Sequence, residues 1–335
     1  MSRLSVINLA ELPPMQVIET IDIEAIMRAR MARFKELWAS YDPPLGVQYD
    51  VENLEFDPIR INQECCTLFE LMERDRVNQA ARDVTLAFGW GGNLDGIASR
   101  YPGGVPRLPV VPEPRPFEQF PQDWESDNRY RQRIWLTPNL LSPHGTAEAY
   151  EFYALTADAS LHDARATSDE GTGRVYIALD ASQQIAPIWK RSIDTVTGRL
   201  LSTRTGPLMT DPTPTLQQVI DVRTYALSEA RRGMTDVIIT SGPKIAHVNY
   251  KARIWLYPNV SADIALSVLE SSIASLIEKQ RWIGFDHSRM AIDAALAQQG
   301  VHHAIIDEPF KDMTVDYRGM VKVDMVNITL AGTAE

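Results

Sequence analysis

Thr67–Tyr101, TLFELMERDRVNQAARDVTLAFGWGGNLDGIASRY, reads as a long helix, a glycine-rich break and a second short helix starting near Asn93. The long helix is expected over about Ile61–Phe88, with Cys65, Leu68, Phe69, Met72, Val77, Ala80, Ala81, Val84 and Phe88 on its apolar side. Glu73, Arg74, Asp75 and Arg76 interrupt that side; local ion pairs on a solvated face account for them. Gly89, Gly91 and Gly92 end the helix, because glycine accepts the left-handed conformation that a helix stop requires. Asn93 is placed to cap the next turn, whose apolar face is Leu94, Ile97 and Ala98.

Upstream, Leu12-Pro13-Pro14 punctuates the start, and a helix is expected over Asp22–Ala39, with Thr20 as cap and Asp22 and Glu24 complementing its dipole. Ile23, Ile26, Met27, Met31, Phe34, Leu37 and Trp38 form one stripe along it. The acidic, proline-bearing segment Tyr41–Pro58 reads as a loop. A striped helix set off by such a loop either packs on its own domain or joins a bundle with other chains; the pattern leaves both open.

Downstream, Tyr101–Pro121 carries Pro102, Pro106, Pro109, Pro112, Pro114, Pro116 and Pro121 and reads as a stiff extended connector. Glu125-Ser126-Asp127 opens a helix bearing Arg129, Arg131 and Arg133, read as a solvated face, with an acidic partner surface as the alternative. A helix over Thr146–Leu155 follows, then strands near Leu161–Ser168 and Arg174–Leu179 joined through Glu170-Gly171-Thr172-Gly173. Thr195–Leu201 suggests a hairpin turning at Thr197-Gly198. Thr215–Ala230 reads as a helix with Leu216, Val219, Ile220 and Ala226 inward, ended by Gly233, and Asp236–Thr240 as a strand.

The last part is cleaner. Val248, Tyr250, Ala252, Ile254 and Leu256 alternate with Asn249, Lys251, Arg253, Trp255 and Tyr257, the period-two pattern of a half-buried strand. Ser261 opens a helix to about Trp282, with Ala265, Val268, Leu269, Ser272, Ile273, Leu276 and Ile277 inward. Another helix is expected over Ser288–Gln299, then strands at Val301–Asp307 and Met320–Leu330. The fold class is therefore α+β. The division is 1–100 helical, 101–124 a Pro-rich connector, 125–245 a middle α+β domain and 246–335 a C-terminal α+β interface domain.

The chain has 335 residues, 44% hydrophobic and 23% charged, enough for a sizeable core. A net charge of −11 argues against a general nucleic-acid binder, which needs a basic surface to displace counterions from phosphates. The start, MSRLSVINLAELPP, lacks a basic region followed by an apolar core, so no secretory signal is expected, and no apolar run is long enough for a membrane span. Adjacent Cys65 and Cys66 cannot readily bridge each other and are expected as reduced, packed thiols; an intermolecular disulfide is the sharper alternative.

Catalytic patterns are not found. No histidine pair among His144, His162, His247, His287, His302 and His303 has the spacing of a helical zinc site. His302 and His303 are strand neighbours, expected to face opposite sides and so not to share a metal. Neither a nucleophile elbow nor a phosphate loop is present; Gly89-Trp90-Gly91-Gly92 ends a helix, whereas a phosphate loop opens one. No cofactor, metal or catalytic residue is expected.

Several separated stretches, in order, resemble the baseplate assembly protein J (J-like) family of contractile phage tails. NLAELPPMQVIETIDIEAIMRARMARF resembles the family's opening, and RDRVNQAARDVTLAFGWGGNLD, from Arg74, its arginine- and alanine-rich helix with a Gly-x-Asn/Asp-Leu-Asp stop. ESDNRYRQRI, from Glu125, is similar to its Glu-Ser-Asp helix. HGTAEAYEFYALTADA, from His144, and YKARIWLYP, from Tyr250, resemble a later helix and its last-domain strand. The long Pro-rich connector, an added hairpin within Ile185–Thr205 and Trp90 in place of a small residue depart from the pattern.

The resemblance implies a non-catalytic wedge subunit in the tail baseplate, made in the bacterial host cytoplasm. Its N-terminal helices are expected to bundle with a second copy and a smaller wedge protein. Other partners are the sheath initiator, neighbouring wedges and the central hub or spike, with no nucleic acid and no membrane span. Identical lateral contacts close a ring. The expected interface residues are Ile23, Met27, Met31, Phe34, Trp38, Arg74, Arg129, Arg133 and Trp255. The competing readings are a tail-associated hydrolase acting on the host envelope, which would show turnover, and an assembly chaperone, which would be missing from finished particles.

Overall fold

The computed structural model describes residues 18–40, 56–101, 103–142, 145–169, 171–183, 185, 188–193, 199–205, 209–228, 231, 233, 235–258 and 260–333. It forms two compact units, one from the described residues within Ile7–Gly104 and one from those within Val105–Glu335. The expected loop at 41–55, the hairpin turn at 194–198 and His144 lie outside the described residues.

The first unit holds α1 (Ile23–Ala39), α2 (Pro58–Asp83) and α3 (Gly92–Ala98). Asp22, not Thr20, caps α1: its carboxylate accepts from Glu24 N at 2.9 Å and Ala25 N at 3.2 Å. Asp57 caps α2, accepting from Arg60 N at 2.9 Å, and Pro58 takes a first-turn position whose missing N–H costs no helix bond. This helix ends at Asp83 rather than Phe88. The reason is local: Thr85 donates its hydroxyl to Arg82 O at 2.7 Å, and Gly89 N closes a turn onto Thr85 O at 2.9 Å. A Cβ at Gly89 would lie 2.9 Å from Thr85 O and 3.1 Å from Ile97 Cδ1, so only glycine fits the approach to α3. Gly91, at φ 51°, rather than Asn93, occupies the N-cap position of α3. Leu94, Ile97 and Ala98 are buried as the spacing predicts.

In the second unit the proline-rich segment is folded back. Pro109 bridges Trp124, with Val110 N donating to Asp123 O (2.8 Å) and Glu125 N to Leu108 O (2.9 Å). The prolines have no N–H to offer, so Val110 supplies this segment's donor to the pairing and Leu108 its carbonyl acceptor. Then come α4 (Asp127–Leu136), α5 (Ala147–Ala157), β1 (Asp163–Ser168), β2 (Arg174–Asp180), β3 (Ile188–Ile193), β4 (Leu200–Thr205) and α6 (Leu216–Ala226). They are followed by β5 (Val237–Ser241), β6 (Lys244–Leu256), α7 (Ala262–Gln280), α8 (Arg289–Leu296), β7 (Val301–Glu308) and β8 (Gly319–Thr333).

Two mixed sheets form, ordered β1-β2-β5 and β3-β4-β8-β6-β7, and the chain is α+β. In the second sheet β6 runs parallel to β8 and antiparallel to β7. The β3–β4 hairpin, which the sequence suggests as an addition, extends this sheet through β4 pairing with β8. Arg191 clamps it to α7, donating to both carboxylate oxygens of Glu270 at 3.1 Å. Val248, Tyr250, Ala252, Ile254 and Leu256 all lie in the core against α7 and α8, as their alternation predicts.

The helix faces are less faithful to the pattern. Leu216, 76% exposed, and Ile220 point outward from α6, and Val222 is the buried residue beside Ala226. That helix stops at Ala226, before Gly233. On α7, Val268 is exposed and Leu266 is buried instead, while Ser261 sits at the N-cap without a side-chain bond. On α8 the end is Leu296 rather than Gln299.

Candidate assembly surfaces

The α1–α2 pair is a hairpin almost without a core. No residue of α1 is buried, and in α2 only Thr67 and Asn78 are. Polar pins hold it instead. Arg30 reaches Glu70 at 2.7 Å and Gln63 at 3.2 Å, and Thr67 Oγ1 meets Met27 Sδ at 3.5 Å. Asn78 clamps the lead-in to α1, accepting from Glu19 N at 3.0 Å and donating to Glu19 O at 2.9 Å. Arg74, expected at an interface, bonds Glu19 at 2.8 Å and Glu70 at 2.9 Å. Arg30, then Arg74, hold the Glu70 carboxyl below its ordinary range.

Apolar side chains face out around these pins. Ile23, Leu37, Ile61, Leu68, Phe69, Met72 and Val77 are exposed, Phe69 by 66%. One groove beside α1 is lined by Ile26, Ala29, Phe34 and Leu37 with Arg30 and Arg33; another by Ile23, Met27, Leu68 and Leu71. Phe34 and Trp38 lie one turn apart, their rings tilted by 45° with centroids 5.7 Å apart. Met27, Met31, Phe34 and Trp38 are half-buried. The expectation of packed thiols fails: Cys65 is exposed and Cys66 half-buried, and both are free.

The arginine cluster of α4 is not a solvated face. Arg129, Arg131 and Arg133 are all buried. The Glu125 carboxylate, with a fully buried side chain, takes a guanidinium N–H from both Arg129 and Arg133 and accepts Leu108 N at 3.0 Å. Arg129 also donates to Leu161 O at 2.7 Å, Asp158 O at 2.8 Å and Leu155 O, serving carbonyls at the end of α5 and in the turn that follows it. Arg133 reaches Pro106 O at 3.2 Å, and Arg131 donates to Asn128 at 2.8 Å. Arg107 binds Asp127 at 2.7 Å and lies over the Phe117 and Tyr130 rings at 4.1 and 4.5 Å. Burial pulls the Arg129 and Arg133 pKa values down, and Glu125 opposes that shift. Glu125, Arg129 and Arg133 thus form a scaffold joint that ties the proline-rich segment, α4 and the end of α5 together.

Trp255 is half-buried on the sheet face away from the α7–α8 core and stacks on His303 at 4.3 Å. Beside it, Arg253 pairs with Asp307 at 2.7 Å and Lys251 with Glu308 at 2.8 Å. Among the described residues no group of three or more His, Cys, Asp or Glu side chains could hold a metal ion, and no helix is long and apolar enough to cross a membrane.

The stretch that carries the α2 pins and the glycine break is also where a known family model matches. Residues 55–113 match the Baseplate J-like N-terminal domain. Baseplate protein J of Escherichia phage P2 is 27% identical over 312 residues, covering 93% of this chain and 93% of that protein. The baseplate J-like resemblance read from the sequence is thereby shown, and it extends well past the N-terminal match. The J-like match takes in α2, α3 and the first part of the proline-rich segment.

Proposed function

We propose that this chain is a structural subunit of a phage tail baseplate, and within it a wedge component of a contractile tail or related injection particle. The relationship to baseplate protein J supports the coarser statement, a structural role in a phage baseplate. The finer statement is carried by one observation: a two-helix hairpin pinned by polar bonds with large apolar side chains exposed along it. Burying each such side chain contributes about 1.5–3 kcal/mol. Helices from a second copy and from a smaller wedge protein fill the two grooves. The second unit supplies lateral contacts to neighbouring wedges, the sheath initiator and the central hub, Trp255 among them. Repetition of identical contacts closes the ring.

The test is replacement of the wild-type chain by Phe34→Asp during particle assembly. A charge in the groove would then have to be desolvated, so baseplates should fail to form while the second unit keeps its wild-type unfolding transition. Particles of normal yield and form would refute the bundling role of α1.

A further inference from the structure

Strand neighbours normally point to opposite faces, yet His302 and His303 meet: their Nδ1 atoms lie 2.8 Å apart. The register explains it. Trp255 pairs with His303 and Leu256 with Val301, so His302 is an extra residue in β7, a bulge that turns its side chain toward its neighbour's. Both imidazoles are exposed and held in place by aromatic contacts. His303 stacks flat on Trp255, with 10° between the planes, and His302 sits edge-on to Tyr257 at 5.1 Å. The Trp255 indole is itself seated over Gly332, where a Cβ would lie 3.7 Å from the ring.

We propose that His302 and His303 form a two-nitrogen chelate for one divalent transition-metal ion of tetragonal preference, copper(II) or nickel(II). With metal–nitrogen bonds of about 2.0–2.1 Å, a right-angle bite needs nitrogens about 2.9 Å apart, and a tetrahedral bite about 3.3 Å. The observed 2.8 Å fits the first, the geometry of copper(II) and nickel(II) rather than of structural zinc. In the metal-free pair one Nδ1 carries the proton that the other accepts. Moving that proton to the Nε2 of the same ring frees both lone pairs, so neutral imidazoles bind with no net proton release. Water fills the remaining positions.

The other described histidines are otherwise engaged. His287 is buried against Tyr250, and His162 and His247 each contact a carboxylate, of Asp180 and Asp324. The test is titration of the full chain carrying Cys65→Ser and Cys66→Ser, so that no free thiol binds or reduces the metal, with copper(II) chloride, by calorimetry and electron paramagnetic resonance. One ion per chain is expected, with a tetragonal spectrum split by two nitrogens. A second imidazole tethered beside the first raises affinity by roughly 10²-fold or more, so His302→Ala and His303→Phe should each lose about that factor. The second variant keeps an aromatic ring against Trp255, and a combined His144→Ala, His247→Ala variant should bind as wild type. Equal affinity in the His302 or His303 variants and the wild type, or one-nitrogen splitting, would overturn the proposal.

Discussion

Replacing Glu125 by Gln is the sharpest perturbation of the scaffold. The carboxylate accepts from two buried guanidinium groups and from Leu108 N. The amide keeps the shape but presents an N–H2 group to one of the arginines, so donor faces donor, and the charge between Arg129 and Arg133 disappears. Breaking a buried ion pair by removing one partner costs about 3–5 kcal/mol, because the surviving charge stays out of water. A unit of this size loses about 2–4 °C of Tm per kcal/mol, so a fall of roughly 6–20 °C is expected. The assay is urea and thermal unfolding followed by tryptophan fluorescence; Trp124, which donates to Arg115 O at 2.7 Å, reports from beside the joint. Arg133→Met should also destabilise, and the double variant should cost about 0.5–3 kcal/mol less than the sum. A Glu125→Gln protein within about 1 kcal/mol of wild type would refute the reading of this carboxylate as the centre of the joint.

Three further outcomes follow from other parts of the chain. Asn78→Ala removes both bonds to the Glu19 backbone and should cost the first unit about 1–3 kcal/mol, read as faster hydrogen exchange at the start of α1. Burial pushes His287 down from its ordinary 6.5 to about 4. The unfolded chain therefore takes up a proton that the native state refuses, and stability present above about pH 6.5 is lost as the pH falls toward about 4, by up to about 3 kcal/mol. His287→Gln should flatten that stretch of the stability–pH curve, measured by urea midpoints across the range. Trp38→Asp should block assembly as Phe34→Asp does, with solution mass as the readout, while the second unit stays folded.

Where local rules decide, the sequence is a good guide. The alternation in β6 and the paired runs that become β1 and β2 each depend on residues a few positions apart. The misses are long-range. Arg129 reads as solvated until α5 brings the carbonyls of Leu155, Asp158 and Leu161 against it. The one local signal was Glu125 four residues earlier, a spacing that also suits an exposed pair. Leu216 and Leu266 exchange roles with their neighbours because a helix's rotation is set by what it packs on, not by its own hydrophobic count. The meeting of His302 and His303 depends on a bulge, which alternation cannot reveal. For the hairpin the pattern left two readings open, and few of its apolar residues are covered by the described residues of the chain.

The central claim is that α1 and α2 are completed by other chains in a baseplate. A cryo-electron microscopy map of the tail particle assembled with this chain tests it most directly. The account predicts density for the chain in the baseplate ring, with Phe34, Leu68 and Phe69 covered by helices from other subunits. Density in which those side chains face solvent, or a finished particle without the chain, would contradict it.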